Sequence, residues 1–194
     1  MPGTIAFVGD SLTAAGRWDE WLPEFTVSNH AAGGATTADV LAEVDVVLAN
    51  RPDAYVLLIG TNDLAWRKSV EHVVRNVESI LATVHKHEPS TRMLVQSVLP
   101  REPEFAASIR DINRHLWQYS STVRAQFLDL WPVLADENGA LSPVHSEDGL
   151  HLTAAGYELW LDALRPAIER LFAVPTTTTP IDVLSDAISV SGLR

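Results

Sequence analysis

Ala54-Tyr55-Val56-Leu57-Leu58-Ile59, stopped by Gly60, is the strongest strand signal in the chain. Thr4-Ile5-Ala6-Phe7-Val8, ended by Gly9, is a second short apolar run and reads as a strand buried on both faces. Phe25 to Ser28, Arg92 to Val98 and Gln126 to Leu130 supply three more strands. Between them the apolar residues recur at helical spacing. Ala38 to Ala49 places Val40, Leu41, Val44, Val47 and Leu48 on one side, and Val70 to His87 does so with Val73, Val74, Val77, Ile80, Leu81 and Val84. Ala106 to Arg124 and Ala154 to Phe172 repeat the pattern. Buried strands alternating with amphipathic helices imply a parallel sheet covered on both faces. In such sheets ligands bind beyond the C-terminal ends of the strands.

The 194 residues suit one domain followed by a tail, with the domain over 1–173. The Thr- and Pro-rich stretch 174–180 has no helical periodicity and reads as a linker. The tail 181–194 is weakly amphipathic, with Ile181, Leu184, Ala187 and Ile188 at helical spacing, and either docks on its own domain, docks on a neighbouring subunit to build a homo-oligomer, or frays. Fourteen Lys and Arg against twenty-five Asp and Glu give a net charge of −11. That balance disfavours nucleic acid and anionic membrane surfaces as partners. The absence of cysteine excludes disulfides, thiol nucleophiles and thiolate metal sites. Met1 to Ser11 lacks a basic start and a long apolar core, and no apolar run reaches membrane-spanning length, so the expected location is cytoplasmic.

Four short motifs fall at predicted strand ends. Gly9-Asp10-Ser11-Leu12-Thr13 puts a serine just past the first strand, where it either caps the next helix or stands as a nucleophile beside helix N–H groups. Thr13 occupies the place of the second glycine in the α/β-hydrolase elbow, so this is a different motif. Asn29-His30-Ala31-Ala32-Gly33-Gly34-Ala35-Thr36-Thr37 is either a turn with Thr36 or Thr37 capping the next helix, or a loop whose backbone approaches a ligand. Gly60-Thr61-Asn62-Asp63 offers a carboxamide that can donate to an oxyanion, with Asp63 placed to orient the loop or cap the helix. In Asp148-Gly149-Leu150-His151 a carboxylate three residues before an imidazole can accept its Nδ1–H and leave Nε2 free as a base. His145, Asp148 and His151 are the best candidate metal set, but they lack a metal-binding spacing, and no metal is expected. Nucleophile, oxyanion donors, base and orienter together meet the needs of serine-based acyl transfer.

With these four blocks in order, the chain resembles the SGNH hydrolases, the GDSL family of esterases and lipases. Gly9-Asp10-Ser11-Leu12, Gly60-Thr61-Asn62-Asp63 and Asp148-Gly149-Leu150-His151 match the first, third and last blocks, and Gly34 matches the second. Ala35 stands where many members carry aspartate, which raises the question of how the Gly34 loop is held. The resemblance spans residues 9 to 151 and implies a flavodoxin-like three-layer α/β/α sandwich with a five-stranded parallel sheet. It implies Ser11 as nucleophile, His151 as base, Asp148 as its orienter, and an oxyanion hole from Ser11 N–H, Gly34 N–H and the Asn62 side chain. It implies no metal or organic cofactor.

The expected substrate is a small-molecule ester with a short- to medium-chain acyl or acetyl group. Leu12, Trp66 and the stretch Val98-Leu99-Pro100-Arg101, Leu99 above all, are the candidate pocket walls. The other five tryptophans, Trp18, Trp21, Trp117, Trp131 and Trp160, are expected to be packing residues. No insertion suggests a lid. Three rival readings stand beside hydrolysis: an acyltransferase using the same serine, a flavodoxin-like binding module without catalysis, and an assembly protein built through its tail.

Overall fold

A computed structural model describes residues 3–173; the predicted linker and tail lie outside the described residues. The chain runs β1 (Thr4–Gly9), α1 (Ser11–Ala14), α2 (Trp18–Trp21), β2 (Thr26–Asn29), α3 (Thr37–Leu48), β3 (Ala54–Leu58), α4 (Thr61–Ala65), α5 (Val70–His87), β4 (Arg92–Gln96), α6 (Ala106–Ser120), β5 (Gln126–Leu128), α7 (Trp131–Leu134) and α8 (Ala154–Ala173). The five strands form one sheet in the order β2-β1-β3-β4-β5, and every neighbouring pair is parallel. This is the α/β/α sandwich that the strand–helix alternation predicts.

The central strands are apolar because both their faces are covered. All five residues of β3 are buried, as are five of the six in β1. One face carries α3, α5 and α6, whose Val44, Val77, Ile80 and Ile112 pack on Ala6, Val8, Tyr55 and Leu57. The other carries α2, α7 and α8, where Trp18, Leu22, Leu134, Trp160 and Leu164 pack on Phe7, Val56 and Leu58. Phe7 stacks on Trp18 at 4.4 Å, and Trp160 meets Trp18 edge-on at 5.0 Å. The two edge strands are short, β2 largely exposed and β5 partly buried, and their shortness limits the unpaired edge they present.

Strand order reverses beside β1, so the loops after β1 and β3 diverge and open a crevice at their C-terminal ends. Ser11 follows β1 and Asn62 follows β3. Several predicted elements end early, among them β5, which stops at Leu128 and not at Leu130. β4 stops at Gln96, because Ser97 Oγ accepts from Leu130 N–H and the Asn113 side chain takes both backbone groups of Val98. The helix expected to reach Arg124 gives way at Ser120 to a 3₁₀ turn that closes on Arg124 at φ +58°. Among the tryptophans read as packing residues, Trp18 and Trp160 are core, whereas Trp117 is 62% exposed. Among the described residues no helix is long and apolar enough to cross a membrane.

Candidate active site

Gly9 ends β1 against its neighbour so closely that a Cβ there would lie 2.2 Å from Leu58 O and 2.5 Å from Thr13 Oγ1. The chain then turns through Asp10, whose Oδ1 accepts from Leu12 N–H at 3.0 Å and caps α1. Ser11 is the first residue of that helix. Its Oγ lies 3.1 Å from His151 Nε2, 140 positions away in sequence. Tyr157, on the first turn of α8, donates its hydroxyl to Leu12 O at 2.7 Å and fastens α1 to the helix that follows the histidine.

The Asp148–His151 segment is a tight turn wound round its own carboxylate. Asp148 Oδ1 accepts from His151 N–H at 2.7 Å, Leu150 N–H at 2.9 Å and Ser146 Oγ at 3.2 Å. Its Oδ2 faces His151 Nδ1 at 2.8 Å. The His151 side-chain bond, reinforced by the two backbone N–H groups, holds the Asp148 carboxyl far below the usual carboxylate range. An ionised acceptor on Nδ1 favours the tautomer with its proton there, which leaves the Nε2 lone pair facing Ser11. Both side chains are about half exposed, at 52% for His151 and 56% for Asp148.

On the far side of Ser11 the Gly34 loop and α4 meet. Gly34 sits at φ +77°, a left-handed conformation that favours glycine, and its N–H donates to none of the described residues. Asn62 Nδ2 donates to Ala35 O at 2.9 Å, which uses one of its two protons and leaves the other for a ligand. This bond answers the question posed by Ala35. The loop is held from α4, from Ala32 N–H on Gly9 O at 3.1 Å, and by a capping box in which Thr36 and Asp39 bond reciprocally. Asp63 is fully buried and accepts from the backbone and hydroxyl of Thr37. It therefore orients the loop, one of the two roles open to it in sequence.

Leu12 and Leu99, read from sequence as pocket walls, are 1% and 2% exposed and belong to the core under α1 and α8. Trp66 alone of the three presents its side chain to solvent, at 72% exposure. The apolar pattern could not separate a leucine lining a cleft from one supporting its floor. His145 gives its backbone carbonyl to Thr153 N–H. Among the described residues no three His, Asp or Glu side chains converge as a metal site.

Arg101, read from sequence as part of a pocket-lining stretch, is instead 7% exposed and bridges two of the loops. It donates to Thr61 O at 3.1 Å and to Glu102 Oε2 at 2.7 Å, while its own carbonyl accepts from Leu141 N–H. Thr36 is the cap of α3, and the bonds of Thr37, the other candidate cap, and of Asn76 were hidden from sequence because they cross 26 and 39 positions.

The sequence profile of the GDSL-like Lipase/Acylhydrolase family matches residues 7–159. Platelet-activating factor acetylhydrolase IB subunit alpha1 of Rattus norvegicus is 29% identical over 183 residues, which cover 87% of this chain and 76% of the relative. Among solved structures, a GDSL-like lipase of Bacteroides thetaiotaomicron VPI-5482 is similar with a TM-score of 0.75 and 24% identity, over 87% of this chain and 89% of the other. The SGNH-hydrolase family esterase AlinE4 matches with a TM-score of 0.63 and 22% identity, over 90% of this chain and 98% of the other. The chain thus belongs to the GDSL-like lipase/acylhydrolase family and is a hydrolase of the esterase and lipase type.

Proposed function

We propose that the protein hydrolyses small carboxylic esters through a Ser11–His151–Asp148 triad and an acyl-enzyme intermediate. The observation that carries this reading is the unbroken chain from Ser11 Oγ through His151 Nε2 and Nδ1 to Asp148 Oδ2, with links of 3.1 and 2.8 Å. Both lengths suit proton transfer by a positioned base.

In the first half-reaction Ser11 Oγ attacks the ester carbonyl carbon as its proton passes to His151 Nε2. The carbonyl oxygen becomes an oxyanion facing Ser11 N–H, Gly34 N–H and the free Asn62 amide proton. The bond from carbon to the alkoxy oxygen then breaks, and the alcohol leaves with the proton from Nε2. A water molecule enters, loses a proton to Nε2 and releases the acid from Ser11 by the same steps. Asp148, already ionised, stabilises the imidazolium at each tetrahedral stage without taking its proton.

Small substrates suit this site, because Leu12 and Leu99 fill the space beneath the serine. The likeness to a platelet-activating factor acetylhydrolase subunit favours an acetyl or other short acyl group. Water as acceptor, ahead of a second alcohol, is supported by the half-exposed histidine. Hydrolysis of p-nitrophenyl esters graded by acyl length tests the proposal. Ser11→Ala is expected to abolish turnover. Asn62→Ala is expected to lower kcat by roughly 10²–10³. Full activity in the serine variant would overturn the mechanism, and an unchanged kcat in the asparagine variant would remove Asn62 from it.

A further inference from the structure

The Gly34 loop is steadied by side chains that take no part in the chemistry above. Asp63 lies in the interior at 0% exposure and accepts from Thr37 N–H at 2.9 Å and from the Thr37 hydroxyl at 2.6 Å. A carboxylate only accepts, so the threonine gives its single hydroxyl proton to Asp63. Thr37 Oγ1 can then only accept, and its donor is Asn76 Nδ2 at 2.9 Å. The second Asn76 amide proton points to His72 Nε2, 3.3 Å away. Each bond direction dictates the next. The chain ties the first residue of α3 to α4 and to α5.

This network bears on the oxyanion hole because Gly34 has no packing of its own. Beyond its chain neighbours nothing lies within 4 Å of the point where a Cβ would stand, so the position of its N–H is inherited from the flanking residues: Ala32, bonded to Gly9 O and to Ala35 N–H, on one side and those up to Thr37 on the other. Ala35 is gripped by Asn62 and Thr37 by Asp63, adjacent residues of one short helix. Apolar packing could join α3 to α4 without burying a carboxylate, which costs stability unless it is well bonded. What the carboxylate adds is direction.

We propose that Thr37, Asp63 and Asn76 are positioning residues of the oxyanion hole, setting the 34–37 loop so that the Gly34 N–H and the Asn62 amide converge before substrate arrives. The proposal rests on the serine mechanism above. Donors fixed in advance stabilise the oxyanion without reorganisation during reaction, so loosening them lowers kcat and leaves ground-state binding alone.

Thr37→Val deletes the hydroxyl at nearly constant shape and keeps the backbone bond to Asp63; Thr37→Ser keeps both roles of the hydroxyl. Thr37→Val is expected to lower kcat about tenfold to a hundredfold with KM within about twofold, while Thr37→Ser stays near wild type. An alkylboronic acid, which forms a tetrahedral adduct with an oxygen in the hole, should bind Thr37→Val more weakly by the same factor as kcat. Binding of the product carboxylate should not change. A wild-type kcat in Thr37→Val, unchanged boronate affinity, or a serine variant as poor as the valine variant would overturn the proposal. Should Thr37→Val not fold, Asn76→Ala on the partly exposed flank of α5 serves the same test, with a lower kcat at constant KM expected and an unchanged kcat decisive against it. Ser11→Ala runs alongside. If it retains activity the serine mechanism fails, whereas an inactive Ser11→Ala beside a wild-type Thr37→Val removes the positioning role alone.

Discussion

Asp10 and Asp148 flank the Ser11–His151 contact, and their surroundings push them in opposite directions. Asp148 is exposed, bonded by His151 and two backbone N–H groups, and held low. Asp10 is fully buried, and burial pushes its carboxyl up to about 7, against the Leu12 N–H and His151, which pull it down, and with Asp63, which adds to the rise. Its Oδ2 has no partner among the described residues. Between about pH 4 and 7 the folded chain keeps a proton that the unfolded chain, with an ordinary value of 3.8, has released. Stability therefore falls as pH rises through that window and levels off above it. Asp10→Asn keeps an oxygen for the Leu12 cap and has no proton to lose, so its Tm relative to wild type should improve from pH 5 to pH 8. Thermal unfolding at both values checks this, and a constant difference would show that Asp10 titrates normally. The sequence named Asp10 as part of the serine motif but gave it no environment. Its burial depends on α8, more than 140 positions away, whose Tyr157 reaches Leu12 O across 145 residues.

Whole elements were legible where one physical signal spans several turns. α5 begins and ends where its periodicity predicts, with Ser69 capping His72 N–H and Val73, Val77, Ile80 and Val84 inside. β3, the run of highest apolar density, is a fully buried strand as that density predicts, ending at Leu58 one residue before the run does. Helices of four or five residues gave no periodic signal of their own. α1, α2, α4 and α7 are too short to show a helical period, yet α1 and α4 carry Ser11 and Asn62. The motif chemistry located those residues where periodicity could not. What no local pattern could show was the cross-bracing: the Asn113 side chain on Val98, Arg101 on Thr61, Asp63 on Thr37. At this scale Gly9→Ala is the sharpest substitution. Its Cβ would meet the Leu58 carbonyl at 2.2 Å, and a backbone atom of the paired strand cannot yield as a side chain can. We expect loss of soluble, folded protein, read as yield and circular dichroism; a normally folded Gly9→Ala would mean that β1 and β3 can part at the serine end.

Across the whole molecule the net charge is −11, and Glu102 lies against the Asp148–His151 turn that faces Ser11, with Glu147 next to Asp148 in sequence. A neutral ester should feel this field little, whereas an ester bearing a free carboxylate is repelled. With added salt from about 10 mM to 200 mM, kcat/KM for an anionic ester should rise about two- to fivefold while p-nitrophenyl acetate stays level. Equal salt responses would place the field away from the approach to Ser11. The sheet order was legible only as a class, since alternation predicts parallel strands but not which one is central. That β1 is interior, between β2 and β3, has a consequence in time. A chain made from its N-terminus presents β1 and Ser11 before the strand that pairs with β1 on one side, which begins at Ala54. His151 comes 140 positions after Ser11, and the helix whose Trp160 packs against Trp18 comes later still. Contacts of such separation close late, because a long loop must first give up its entropy. Until α8 has been made and has left the ribosome, the nascent domain therefore holds Ser11 with neither His151 opposite it nor a helix over that face of the sheet, and the proposed triad cannot form.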